Sequence, residues 1–255
     1  MKRRQFIRYG GLGLTAAIAS NLMPGQAIAQ ADGVTVQYLG HTCFLFTGNG
    51  LKVLVNPYQA LGCTAGYVLP DLQPDVVLVS SFLLDEGAIE SVKGNPEVIT
   101  NRGTHKFGGL EFKGFALDHD REQGRRFGKN IAWRWSQGGV NILHLGGAAG
   151  NLATEDKILL SGADILLAPV GGGIKAFNPQ EARKIVKTLN PRMVIPTHYR
   201  TAAANKENCD IAPVEEFLSL ASDLEVARVG SDRFTVKKSY LQDGQTIVRV
   251  LDYTS

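Results

Sequence analysis

The order of apolar and polar positions divides the chain into two halves. In the first, short apolar runs are separated by glycine-rich turns, the signature of strands and hairpins. Residues 34–39, 42–46 and 51–55 predict three strands, with Gly48-Asn49-Gly50 as a hairpin turn. Val76-Val77-Leu78-Val79 follows Pro74-Asp75 without polar alternation, which predicts a strand buried on both faces. Residues 98–100, 109–117, 130–135 and 140–145 predict further strands, the last two joined across Gln137-Gly138-Gly139. Residues 86–92 predict a short helix, and His105 falls in a predicted polar loop. The second half alternates strands and helices. Residues 165–170 and 193–196 are strands, and 179–189 and 213–221 are helices, the first with Asn178 as N-cap and Pro179 at its first position. Further strands close the chain around Asp243-Gly244. Hairpins followed by β-α-β units predict an α/β fold: two mixed sheets with outer helices, an αββα sandwich.

Several polar groups fall at the ends of predicted strands: His41, Asp85-Glu86, His119, His144 and His198. Strand ends gathered at one rim are where such folds build sites.

The N-terminus changes how the charge is read. Lys2-Arg3-Arg4-Gln5-Phe6-Ile7-Arg8 precedes a modest apolar stretch, and Ala27-Ile28-Ala29 offers a small-x-small cleavage site. This predicts a twin-arginine signal over residues 1–29 and a single domain over 30–255, exported to a periplasm or a thylakoid lumen. The formal charge of +3 includes Lys2, Arg3, Arg4 and Arg8 and no acid from that segment, so the remainder carries −1. The basic excess belongs to the signal and gives no support for nucleic-acid binding. No later stretch is apolar enough to span a membrane after cleavage. The three cysteines, Cys43, Cys63 and Cys209, have no zinc-site spacing. An oxidising compartment permits one disulfide and one free thiol, and spacing leaves the pairing open.

The run from Val76 to Gly87 resembles the strand and His-x-His-x-Asp-His motif of metallo-β-lactamase-fold hydrolases, in the branch related to ascorbate-phosphate lactonase. In that register the two leading His are Ser81 and Leu83, the Asp is Asp85, and the last His is Glu86. Other motifs follow in the family's order. Tyr38-Leu39-Gly40-His41 and Asn56-Pro57-Tyr58 resemble its opening Leu-Gly-His and Asp-Pro-Tyr. His119-Asp120 is similar to its third-ligand loop, and His144-Leu145-Gly146-Gly147 to His-x-Gly-Asp, with Gly147 where the metal-bridging Asp stands. Val194-Ile195-Pro196-Thr197-His198-Tyr199 places His198 on the last metal ligand.

The resemblance implies two metal ions, and the sequence departs from it at Ser81, Leu83, Glu86 and Gly147. The first site keeps only His119, too few donors for zinc. The second keeps Asp85 and His198 with Glu86 in place of His, a set suited to one Zn²⁺, Mn²⁺ or Fe²⁺ ion. His41, His144 and Ser81 are expected around the pocket as packed or hydrogen-bonded groups. The reading is an exported, hydrolase-like protein whose dinuclear centre is largely dismantled, acting without catalysis as a binder of a small ligand or an exported partner protein. The alternative is a mononuclear hydrolase of a small ester, lactone or phosphate-type substrate. It would use Asp85, Glu86 and His198, with His119 as base or extra ligand.

Overall fold

The structure, a computed structural model, describes residues 32–204 and 207–254. The predicted signal lies outside the described residues. Among the described residues, fourteen strands and three α-helices follow in chain order: β1 (Val34–Gly40), β2 (Cys43–Gly48), β3 (Leu51–Val55), β4 (Val76–Leu78), β5 (Glu97–Ile99), β6 (Gly103–Phe107), β7 (Leu110–Asp118), β8 (Lys129–Gln137), β9 (Val140–His144), α1 (Thr154–Leu160), β10 (Ile165–Pro169), α2 (Pro179–Leu189), β11 (Met193–Thr197), α3 (Val214–Leu220), β12 (Glu225–Arg228), β13 (Arg233–Val236) and β14 (Ile247–Val250). They form a six-stranded sheet in the order β13-β1-β2-β3-β4-β5 and an eight-stranded sheet in the order β12-β14-β11-β10-β9-β8-β7-β6. Both are mixed, so the architecture is the expected α/β sandwich.

The sheets meet through side chains that the alternation of each strand turns inward. Phe46 stands edge-on to Trp135 across the interface, with centroids 4.9 Å apart, and both rings are buried. Burial of such a side chain is worth roughly 1.5–3 kcal/mol. Helix α2 packs on β10 and carries α1 and α3 against itself. Its start is fixed as the sequence predicts: Asn178 Oδ1 accepts the Glu181 N–H at 2.8 Å, and Glu181 Oε2 accepts the Asn178 N–H at 2.8 Å. Such a capping box is worth about 1 kcal/mol.

Two expectations need correction. Residues 86–92 do not form an α-helix; only a 3-10 turn, Ile89–Ser91, is present. Gly87 packs on the carbonyl of Ser81, a contact that a side chain would block, and this close approach turns the chain before a helix can begin. His105 lies in β6, paired with Phe112 of β7 across a Gly108-Gly109 turn, rather than in a loop. β6 is a sheet edge with mostly exposed residues, so it carries no apolar alternation to read. On the outer face of the six-stranded sheet, the described residues place no α-helix. Leu54 and Val77 are covered there by Tyr58, Tyr67 and the loop that follows Pro57.

Strand direction decides where the polar tips go. β1, β3 and β4 run the same way in one sheet, and β7, β9, β10 and β11 share a direction in the other. Their C-terminal ends deliver His41, the 80–86 loop, His119, the 145–147 turn, the 170–175 loop and His198.

Candidate metal centre

His41 and His198 lie at the seam between the two sheets. His41 follows β1 and His198 follows β11, and both adopt left-handed backbone conformations, φ 54° and 50°. That conformation costs a non-glycine residue on the order of 1 kcal/mol. It is held here by a hydrogen bond between the two turns, the His198 N–H donating to the His41 carbonyl at 3.0 Å. Gly171 packs directly on the carbonyl of His198, with no room for a side chain. The result brings the two imidazole rings to 4.2 Å between centroids.

Glu86 is the third member. Its side chain is fully buried, and one of its carboxylate oxygens lies with a nitrogen of each imidazole in a set of donors all within 4.8 Å of one another. None of the four ring nitrogens of His41 and His198 has a hydrogen-bond partner, and Glu86 Oε1 has none either. Burial, then the neighbouring His41, push the His198 pKa down to about 3, which keeps that ring neutral.

The other oxygen of Glu86 faces His119. His119 Nε2 lies 3.3 Å from Glu86 Oε2, and Ser81 Oγ donates to the same oxygen at 3.3 Å. His119 Nδ1 lies 2.6 Å from the Gly147 carbonyl and 3.0 Å from that of Lys175. Carbonyls only accept, so Nδ1 carries the proton and Nε2 is the nitrogen turned to the site. Burial opposes charge on both groups, but their mutual interaction prevails: Glu86 is held below the usual carboxylate range and His119 above the usual imidazole value. The loop bearing His119 is built by Asp120, whose carboxylate accepts four backbone N–H groups, from Glu122, Gly124, Arg126 and Phe127. Arg121 then forks onto Glu181 and reaches the carbonyls of Gly173 and Ala176.

The remaining candidates are placed differently. Asp85 does not cap a helix: its carboxylate pairs with Lys175 and lies 3.7 Å from His41 Nε2. Burial works against its charge, but His41 and Lys175 hold its pKa well below the ordinary range. His144 is satisfied at both nitrogens, accepting from the Gly146 N–H at 2.9 Å and donating to the Thr42 carbonyl at 3.0 Å. Leu83 turns away, lining a separate cavity with Phe127 and Ile131. At Gly147 an added Cβ would lie 2.4 Å from His119 Cε1 and 2.6 Å and 2.8 Å from Glu86 Oε1 and Oε2, so the His119 ring and the Glu86 carboxylate fill that space.

The sequence pattern points to Glu86 and His198. It does not single out His41, because Gly-His after a strand reads as a turn. It also gives no sign that Lys175 takes up Asp85.

These residues fit one metal ion and not two. Two imidazoles and a carboxylate are a set that holds Zn²⁺ or Fe²⁺ with open positions. The buried donors without partners carry the unmet cost, about 1–3 kcal/mol each, that a bound cation would remove. Ser81, Leu83 and Gly147 supply no comparable set for a second ion.

Comparison with known proteins agrees with the architecture. A model of the beta-lactamase superfamily domain matches residues 35–198. A metal-dependent hydrolase of Thermococcus kodakarensis is 27% identical over 195 residues, which cover 66% of this chain and 85% of that protein. One from Carboxydothermus hydrogenoformans is 28% identical over 197 residues, covering 65% and 84%. A crystal structure from Thermotoga maritima, described as a Zn-dependent hydrolase of the metallo-beta-lactamase superfamily, superposes with a TM-score of 0.67 at 26% identity, covering 86% of this chain and 100% of that one. Strand order, rim and sequence match agree: the chain belongs to the metallo-β-lactamase superfamily.

Proposed function

We propose that this protein is a metal-dependent hydrolase with a single divalent ion held by His41, Glu86 and His198. The observation that carries the reading is the convergence of one imidazole nitrogen each from His41 and His198 with a Glu86 carboxylate oxygen within 4.8 Å, with no hydrogen bond to either ring or to Glu86 Oε1. The naming of its relatives as metal-dependent hydrolases supports it. Relative to the ligand set expected from the resemblance, His41 replaces Asp85.

A bound ion would supply an acidified water and polarise a carbonyl or phosphoryl oxygen. The chain's own groups do the rest. Glu86 divides its carboxylate between the cluster and His119, and His119 Nε2 faces the site as the group able to hold or pass a proton. Ser81 Oγ steadies Glu86 Oε2. We also propose that the chain is exported, a reading supported by the Cys63–Cys209 disulfide, which fits an oxidising compartment.

Elemental analysis of the purified, folded chain tests the reading, with His198→Ala and His41→Ala as controls. One equivalent of bound metal, lost in both variants, is expected. Absence of bound metal, together with no thermal shift on adding Zn²⁺, Mn²⁺ or Fe²⁺, sinks it in favour of non-catalytic binding of a small ligand or partner.

A further inference from the structure

Asp85 and Lys175 form a largely buried ion pair beside the donor set, with side chains exposed at only 14% and 19%. They share the wall of one cavity, about 160 Å³, with His41 and His198; Cys63 lines it too, so its disulfide to Cys209 bounds the mouth. Burying an ammonium is costly unless a partner of good geometry meets it, so the pair is no solvated surface contact. The backbone around Lys175 is fixed on several sides. Its carbonyl lies 3.0 Å from His119 Nδ1. Arg121 donates to the carbonyls of Gly173 and Ala176 at 3.0 and 2.9 Å, and the Phe177 N–H donates to the Ala148 carbonyl at 2.9 Å. The loop thus presents Lys175 from a fixed position, and its ammonium meets Asp85 Oδ2.

Asp85 stands just outside the three-donor set. Its Oδ2 lies 3.7 Å from His41 Nε2. Two atoms bound at about 2.1 Å to one tetrahedral ion sit roughly 3.4 Å apart. The carboxylate is therefore almost within reach of an ion at His41, Glu86 and His198, and the oxygen nearest to His41 is the one that Lys175 holds. Resting on the proposed function, we infer that Lys175 stands in for a second metal ion. Its ammonium takes up the charge of Asp85, holds that carboxylate off the bound ion, and leaves the ion's open position free for substrate. A divalent ion and a carboxylate a few ångström apart attract strongly, so without the ammonium Asp85 would close the ligand set.

Chelator competition for Zn²⁺ on the full chain tests this. Lys175→Met should bind Zn²⁺ at least about tenfold more tightly than the native chain, because Asp85 is released to the ion. Loaded with Co²⁺, the variant should show shifted d–d absorption bands as a carboxylate joins the ligands. Lys175→Arg, which keeps the charge, should retain native affinity and native bands. In Asp85→Asn combined with Lys175→Met the gain should vanish. A merely structural pair gives the opposite result, since breaking it loosens the 170–175 loop and weakens metal retention. Lys175→Gln carries the same expectation as Lys175→Met and replaces it if that variant does not fold. Unchanged or weaker Zn²⁺ binding in Lys175→Met, or a gain that survives in the double variant, overturns the inference. A native chain that binds no metal overturns instead the function on which it rests.

Discussion

The Glu86 carboxylate and the His119 ring share the space that a side chain at Gly147 would need, an added Cβ lying 2.6 Å and 2.8 Å from the two oxygens and 2.4 Å from His119 Cε1. In the family resemblance, residue 147 carries the bridging Asp. Here the carboxylate reaches the same region from residue 86 instead. A side chain at residue 147 is thus excluded by the His119 ring and the Glu86 carboxylate together.

Gly147→Ala should therefore destabilise the protein by roughly 1–3 kcal/mol through overpacking. In a Glu86→Ala background the same change should cost less, the contact with His119 Cε1 accounting for the cost that remains. A double-mutant cycle from chemical denaturation checks this, and strictly additive costs would show that the two positions do not compete for one space.

Metal removal should lower stability. An ion bound only by the folded chain adds about 2.7 kcal/mol at a hundredfold excess over its Kd, so a chelator should lower Tm by several degrees. His41→Ala should abolish this difference. The Tm of Asp85→Asn should keep it, because Asp85 is engaged with Lys175 outside the donor set. Differential scanning calorimetry with and without chelator separates the three proteins.

The metal-free protein should lose stability as pH falls. His198 and His144 have folded pKa values pushed from the ordinary 6.5 to about 3 and about 4, by burial in both cases. Below pH 6.5 the unfolded chain takes up protons that the folded chain refuses, so stability falls steadily between pH 6.5 and about 4 and is level for these groups above 6.5. His119, raised, contributes with the opposite sign, its stabilisation being lost as pH rises through its folded value. His144→Gln should flatten the acid slope in urea denaturation measured across pH. An unchanged slope would remove His144 from this account.

Reduction should loosen both fold and mouth. The Cys63–Cys209 bridge spans a sequence separation of 146 residues, for which chain-entropy arguments give a stabilisation of about 5 kcal/mol. Reductant, or Cys63→Ser with Cys209→Ser, should lower Tm and admit bulkier substrates. Thiol labelling of the native, oxidised chain should be slow, since the remaining thiol, Cys43, is buried.

The sandwich was largely legible because both periods were written into the chain. Alternation placed β7, and the Asn178–Glu181 cap placed α2. The edge strand β6 left no trace because nothing buries it. The site was harder to read. His198 was visible through its motif, but His41 becomes a partner only when two sheets bring residues 157 positions apart together, a relationship no local pattern encodes. Glu86 is legible as a candidate ligand through its place in the motif, but its full burial is not. Its inward turn depends on Gly87 packing on the Ser81 carbonyl, a backbone event that composition does not announce.

The hydrogen bond from the His198 N–H to the His41 carbonyl gives the candidate centre a further property. Its donors hang from different sheets, so neither sheet could assemble the centre without the other. An ion seated there would act as a rivet through the seam. Its affinity would then gauge how well the whole sandwich is closed: loosening a remote contact such as Phe46 on Trp135 should be felt as weaker metal retention, although no donor has been touched.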